Sequence, residues 1–256
     1  MTDQPSAPSV AAPPAPPSVA ASPMPRTGGW QQATVVGIRP ETANAKTFRL
    51  ALTEPRPHLA GQHYVVRLTA PDGYRASRSY SIASPPDDSG QIELTIERLE
   101  DGEVSSFLHD DLMVGDRLEV RGPIGGWFVW DGQTPAILVG GGSGVVPLMA
   151  MLRLARRSER SELVRLVVSA RSPGDLYYAA ELPGPETTIV YTRAAPPSWP
   201  RPPGHLNALD LPSPLTPGAT AYVCGSSGFA DAATALLTDA GVAVDHIRVE
   251  RFGPSG

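Results

Sequence analysis

The sequence predicts a two-domain fold: an antiparallel six-stranded β-barrel followed by an α/β doubly wound parallel sheet. Two patterns and the break between them predict it. From about residue 30 to 121, short β-type runs alternate with turns rich in Gly, Pro and Asp, the spacing of a small barrel. From about residue 134, continuous apolar runs alternate with helical periodicity, which reads as βαβ units around a parallel sheet. The change falls between Trp130 and Pro135. The expected domains are therefore 30–131 and 135–253, preceded by a Pro/Ala-rich tail, 1–29, with few apolar anchors, which reads as disordered.

In chain order, the barrel strands are expected at 32–38, 47–52, 63–68, 78–82, 92–98 and 117–121. The intervening EPRPHLAG, APDG, PPDDSG and MVGD supply the turn chemistry. Only VSSFLHDDL, 104–112, interrupts them, as a short helix. In the second domain PAILVGG, 135–141, is apolar throughout, as a strand buried on both faces must be. PLMAMLRLARR, 147–157, follows as a helix with Leu148, Met151, Leu152 and Ala155 on one side. Strands are then expected at 163–170, 187–192, 221–225 and 246–252, with a helix over 229–241. The proline-rich stretch 194–218 reads as an irregular loop.

Composition excludes several functions. A chain of 256 residues with 41% apolar and 18% charged residues can build packed cores. Its formal net charge of −5 gives no basic field for nucleic acid. The single cysteine, Cys224, precludes an internal disulfide and a cysteine-ligated zinc or iron–sulfur centre, and no metal is expected. No apolar run approaches the ~18 residues of a membrane-spanning helix, and no secretory signal is seen, so a cytoplasmic protein is expected.

Three stretches carry chemistry. In RSYSIAS, an ideal strand puts Arg78, Tyr80 and Ile82 on one face, with Ser79 and Ser81 on the other. Arginine offers a planar fork of donors to a pyrophosphate, and tyrosine about 7 Å away offers a flat ring for stacking; an exposed barrel strand with ordinary polar decoration is the competing reading. LVGGGSGVVPLMAML is a strand, a glycine turn and a helix; glycines let the backbone approach a ligand, and free helix N–H groups attract phosphate. Val145 stands where a third fingerprint glycine would fall, so a tight ligand-free turn is the competing reading. Pro147 suits the helix's first turn. VCGSSGFADAATALL repeats the arrangement, with Cys224 at the carboxyl end of its strand, where α/β sheets bind ligands. Simple packing is the competing reading for a lone cysteine.

RSYSIAS, GEVSSFLHDDLMVGD, GPIGGWF, GGGSGVVPLM, VCGSSGF and the terminal VERF, in this order, resemble the ferredoxin–NADP reductase type of flavoprotein oxidoreductase, over about 30–252. The resemblance implies a flavin-binding barrel, a pyridine-nucleotide domain, and FAD in the cleft between them, with FMN as the other flavin possible. Under it, Arg78 binds flavin phosphate, Tyr80 stacks on the isoalloxazine with Ile82 beside it, and Ser81 lies near N5. Because an ideal strand turns Ser81 away from Tyr80, a bend or backbone contact is required there. Gly102, Val104 and Ser105 match the helix start that holds the flavin pyrophosphate. Gly140, Gly141, Gly142, Ser143, Gly144 and Pro147 match the nicotinamide dinucleotide loop. Cys224 and Gly225 face the nicotinamide, and Glu250 with Phe252 matches the C-terminal acid and aromatic; here GPSG follows that aromatic, a departure from the family pattern. Ser81, Cys224 and Glu250 are thus the catalytic candidates.

The second nucleotide-domain strand ends VVSAR, with Ser169 and Arg171 and no carboxylate, which leans toward NADPH over NADH; an Arg171 that meets adenine or solvent is the alternative. The expected function is an NAD(P)H-dependent reductase that takes hydride onto FAD and passes electrons to a separate acceptor protein, an iron–sulfur, haem, molybdenum or oxygenase partner. The alternative is a flavin- or nucleotide-binding regulatory module with vestigial electron transfer.

Overall fold

The computed structural model describes residues 29–253; the expected tail, apart from Gly29, lies outside the described residues. The first domain contains β1 (Trp30–Thr42), β2 (Ala45–Leu52), β3 (His63–Thr69), β4 (Arg75–Ser81), β5 (Gln91–Glu97) and β6 (Arg117–Ile124). They form one antiparallel sheet in the order β4-β3-β6-β1-β2-β5, and an Ile82–Leu94 bridge brings its edges together. Period-two alternation drives this: Phe48, Leu50, Tyr64, Val66, Ile92, Leu94, Ile96 and Val120 point inward and are at most 2% exposed. Each such side chain contributes roughly 1.5–3 kcal/mol by leaving water. β1 runs on to Thr42 because its pairing with β2 continues through two register shifts, which accommodate Pro40. Helix α1 (Glu103–Asp110) packs against β4 and β5, starting one residue earlier and ending two earlier than the sequence pattern suggests.

The second domain is β7 (Ala136–Gly141), a 3₁₀ turn over Gly142–Gly144, α2 (Val145–Arg157), β8 (Val164–Ala170), β9 (Thr187–Tyr191), β10 (Thr220–Gly225), α3 (Ser227–Asp239) and β11 (Ile247–Arg251). All five strands are parallel, in the order β11-β10-β7-β8-β9. The chain leaves β7 toward β8 and later returns to β10 on its other side, so the switch point lies between β7 and β10. Ala136 and Leu138 face α2, while Ile137 and Val139 face α3, which is why the strand is apolar at every position. The proline-rich insert packs Leu206, Leu211 and Leu215 onto the α3 face. It is irregular except for one 3₁₀ turn, Ala208–Asp210, closed by an Asn207 capping box and a two-pronged Arg201–Asp210 pair at 2.7 and 2.9 Å.

The domains meet through a shared core. Ala60, Ala83, Phe128 and Trp130 of the first domain belong to the cluster built on α2. Trp130 donates its indole N–H to the Thr134 carbonyl at 2.9 Å, within the segment that links β6 to β7. Gly61, at φ +101°, lies so close to α2 that an added Cβ would stand 2.8 Å from Met151 Cε.

Candidate active site at the domain seam

β4 presents the first half of the site. Along it Ala76, and Ile82 just beyond its end, are buried, and Tyr80 is half-buried against the barrel core. Desolvation pushes the Tyr80 phenol well above its ordinary value. Arg78 is exposed, donates only to the Ser77 carbonyl at 2.8 Å, and has no carboxylate partner among the described residues. Directly across from Tyr80 stands Tyr64, whose hydroxyl is buried without a hydrogen-bond partner among the described residues; burial pushes it up to about 12.

Ser81 itself keeps regular strand register, and the irregularity follows it. β4 pairs with β3 as far as Ser81, after which the chain transfers to β5: the Ile82 N–H reaches Gln62, and the Ala83 N–H reaches the Glu93 carbonyl at 2.7 Å. Ser81 sits at this corner, 8% exposed.

The α1 start lies beside β4, with Gly102 as its N-cap and no side chain capping it. A Cβ at Gly102 would come within 2.9 Å of Leu99, so glycine is required. Val104 and Ser105 are buried, and the Ser105 hydroxyl is already engaged with Leu99 N at 3.2 Å and the Gly102 carbonyl at 3.1 Å. What the helix offers a phosphate is therefore its first-turn backbone N–H groups.

The second half gathers at the switch point. Gly140, Gly141 and Gly144 are held in place by packing: added Cβ atoms would press on Leu148 at 3.0 Å, on the Phe229 ring at 2.7 Å and on Cys224–Gly225 backbone. Gly142 differs, with φ +55° and nothing within 4 Å of an added Cβ. Ser143 beside it is half-buried. Packing thus accounts for three of the four glycines, and Gly142 alone leaves open backbone that a ligand could approach. The helix proper begins at Val145, so Pro147 is its third residue, still within the turn where a missing N–H costs nothing.

Cys224 is fully buried; burial, and secondarily Glu250, push its thiol well up. Phe252 packs against the same cluster and donates its N–H to the Gly225 carbonyl at 2.8 Å. Glu250 pairs with Cys224 in the β10–β11 register, and burial alone raises its carboxyl to about 7. At the far end, Ser169 is buried and Arg171 exposed. Sequence reading missed Arg193, the second residue past β9. Its N–H donates to the Arg171 carbonyl at 2.9 Å, so two exposed arginines without carboxylate partners, among the described residues, stand side by side. A basic residue just beyond the β9 apolar run was the available signal.

These features fit a flavin and a dinucleotide. A free guanidinium, uncapped helix N–H groups and a half-buried ring line the barrel side, and an open left-handed glycine lies at the switch point of the sheet. Together they define a flavin- and pyridine-nucleotide-dependent oxidoreductase. Residues 32–129 match the oxidoreductase FAD-binding domain family and residues 138–235 the oxidoreductase NAD-binding domain family. The chain belongs to the ferredoxin–NADP reductase-type flavoproteins, with FAD as its flavin. It is 29% identical over 240 residues to the ferredoxin–NAD(P)+ reductase component of the naphthalene 1,2-dioxygenase/salicylate 5-hydroxylase systems of a Ralstonia species, covering 88% of this chain and 70% of that one. It is 31% identical to the glycine betaine monooxygenase reductase subunit of Chromohalobacter salexigens, covering 89% and 65%. The chain thus spans about two thirds of the length of these relatives. Its fold superposes on the FAD/NAD-binding domain of a nitric oxide dioxygenase from Vibrio cholerae with a TM-score of 0.79, at 23% identity, over 88% of this chain and 99% of that one.

Proposed function

We propose that the protein is an NAD(P)H-dependent reductase that passes electrons from FAD to a separate iron–sulfur or oxygenase protein. It would work in the cytoplasm, and no helix among the described residues is long and apolar enough to cross a membrane. When bound, FAD would supply the redox chemistry of accepting a hydride and passing its electrons on. The protein's part is binding, orientation and proton supply. Arg78 and the first turn of α1 would hold the pyrophosphate of the flavin; Tyr80 would support its ring, with Ile82, fully buried in the barrel core, backing it only from behind, and Ser81 would offer a hydroxyl at the β4 corner. Gly142 and the start of α2 take the dinucleotide pyrophosphate, with Gly225 and Cys224 beneath the nicotinamide. Phe252 must swing off the cluster that buries Cys224 before that ring can dock. Glu250, its carboxyl raised to about 7 by burial, is protonated in roughly half of the molecules at neutral pH and so can give or take a proton near the Cys224 strand end.

What supports this reading is the unpaired Arg78 on the strand that ends at the Ser81 corner, together with the contact of the Gly142–Gly144 turn with β5, the strand that this corner joins. Arg171 and Arg193, two cations on adjacent strand ends, favour the 2′-phosphate of NADPH over the bare ribose of NADH. Anaerobic mixing of the FAD-loaded protein with each nucleotide tests it: NADPH should bleach the flavin at lower concentration than NADH, and Arg171→Ala with Arg193→Ala should erase the preference. Bound flavin that neither nucleotide bleaches would point instead to a regulatory module.

A further inference from the structure

Arg153 lies on α2, nine residues into the helix that begins at the dinucleotide turn. Its side chain is only 13% exposed and is held on every side. Nη1 donates to the Ala83 carbonyl at 2.9 Å and to Glu93 Oε2 at 2.9 Å; Nε and Nη2 form a fork onto Glu181 at 2.9 and 2.6 Å. The guanidinium also stands 5.1 Å over the Tyr178 ring. Ala83 and Glu93 belong to the barrel, where Ala83 is two residues beyond Ser81 and is tied by its own N–H to the Glu93 carbonyl. A single side chain of the nucleotide domain therefore grips the corner at which β4 changes partner.

Tyr178 completes the grip. It is a bulky residue held at φ +54°, a left-handed conformation that costs energy and persists only when its surroundings enforce it. Its N–H donates to Glu41 Oε2 at 3.1 Å, and its hydroxyl donates to Thr95 Oγ1 at 2.6 Å. Thr47 gives its one hydroxyl proton to Glu41 at 2.6 Å, so the 2.7 Å Thr95–Thr47 contact must run from Thr95 to Thr47. The chain Tyr178, Thr95, Thr47, Glu41 is thus unidirectional, and each bond polarises the next.

We propose that Arg153 is a positioning residue for hydride transfer: it locks α2, and the dinucleotide turn at its head, against the corner that carries Ser81, with Tyr178 as the second anchor. The proposal rests on the function proposed above. The helix between Arg153 and Val145 is a rod of about 12 Å, so a shift at its Arg153 end moves the turn. The turn itself lies beside β5, the strand that supplies Glu93 and Thr95. Transfer of a hydride from nicotinamide C4 to flavin N5, which oxidises the first and reduces the second, needs the two atoms about 3–3.5 Å apart.

The test uses the FAD-loaded full chain as parent, Arg153→Gln, Arg153→Lys and Tyr178→Phe. Anaerobic stopped flow gives the limiting rate of flavin reduction and the dinucleotide Kd, with protiated and 4-deuterated nucleotide across temperature. Amide hydrogen exchange over residues 82–84 reads the joint without turnover. Arg153→Gln should slow flavin reduction about tenfold to a hundredfold while Kd changes far less, because a misplacement near 1 Å costs about that much. Its isotope effect should become more temperature-dependent, exchange at 82–84 should quicken, and Arg153→Lys should restore part of the rate. Faster exchange with an unchanged rate and isotope effect, or a Kd that rises in step with the loss of rate, overturns the proposal. Should Arg153→Gln fail to fold, Tyr178→Phe decides: a smaller rate loss of the same kind supports the lock, and none overturns it. A parent that neither nucleotide bleaches removes the proposed function itself and the lock with it, an outcome visible before any variant is made.

Discussion

Arg78 with Tyr80 and Arg153 with Tyr178 are the same two side-chain types set in opposite surroundings. On β4 the arginine is exposed, bonded to one carbonyl and free of carboxylates, and its tyrosine lies half-open beside the seam. At the α2 joint the arginine's side chain is only 13% exposed, forked onto Glu181, bridged to Glu93 and Ala83, and stacked over a buried tyrosine. An arginine whose donors are already satisfied inside the chain can offer a ligand little; one whose donors point outward adds little to stability. The difference supports the separate roles proposed above, ligand recognition for the first pair and holding the two domains in register for the second.

The largest expected effect breaks the first pair. Arg78→Ala should weaken FAD binding about a hundredfold, or ~2.7 kcal/mol, as expected when a charge-assisted phosphate contact is lost. The flavin-free protein should melt at the parent's temperature, because Arg78 has no internal charge partner. Titration calorimetry with FAD and a thermal melt of the apoprotein check the two halves. Unchanged FAD affinity, or a destabilised apoprotein, would place Arg78 with the holding group.

A carboxylate comparison sharpens the same distinction. Glu181 is held below its ordinary range: desolvation pushes it up, and the bonds to Arg153 outweigh that effect. Glu250 has no such partner, and burial raises it from 4.5 to about 7. A raised folded-state value means that the fold tolerates the neutral acid and resists the charged one. Its contribution to stability is present below pH 4.5 and is lost as pH climbs through 7. Glu250→Gln should therefore match the parent's stability near pH 4 and exceed it at pH 8, by roughly 1–2 kcal/mol once partial exposure is discounted, which denaturant unfolding at the two pH values measures. A parent more stable than the variant at pH 8 would mean that Glu250 has found a cation.

How far the sequence showed all this depends on how locally each feature is encoded. The barrel and the parallel sheet are written in short-range periodicity, and so is the Arg78–Tyr80 pair, which an i, i+2 step places on one face. The α2 joint is invisible at that range, since Arg153 meets Glu93 across 60 residues and Ala83 across 70. PLMAMLRLARR gives only an amphipathic helix with basic residues near its end. Likewise the burial of Cys224 follows from the close approach of Gly144, a packing fact that a motif read as a ligand turn does not disclose. The extension of β1 to Thr42 depended on partner strands tolerating Pro40 at a bulge, which no single-strand pattern contains.

The smallest effect breaks the second pair and has the opposite profile to Arg78→Ala. Tyr178→Phe keeps the ring beneath Arg153 and removes only the hydroxyl that donates to Thr95 at 2.6 Å. Thr95 still donates to Thr47, so no buried acceptor is stranded with a charge, and the loss should stay near the ~1 kcal/mol of a single neutral hydrogen bond. In a domain pair of this size that is roughly a 2–4 °C lower melting temperature. FAD affinity should be unaffected, because the hydroxyl faces the Thr47–Glu41 chain and not the β4 face that carries Arg78. A calorimetric scan with and without FAD checks both halves. If the melt is unchanged, the directional chain contributes nothing to the joint; if FAD binding falls, the two arginine–tyrosine pairs are coupled and cannot be assigned separate roles.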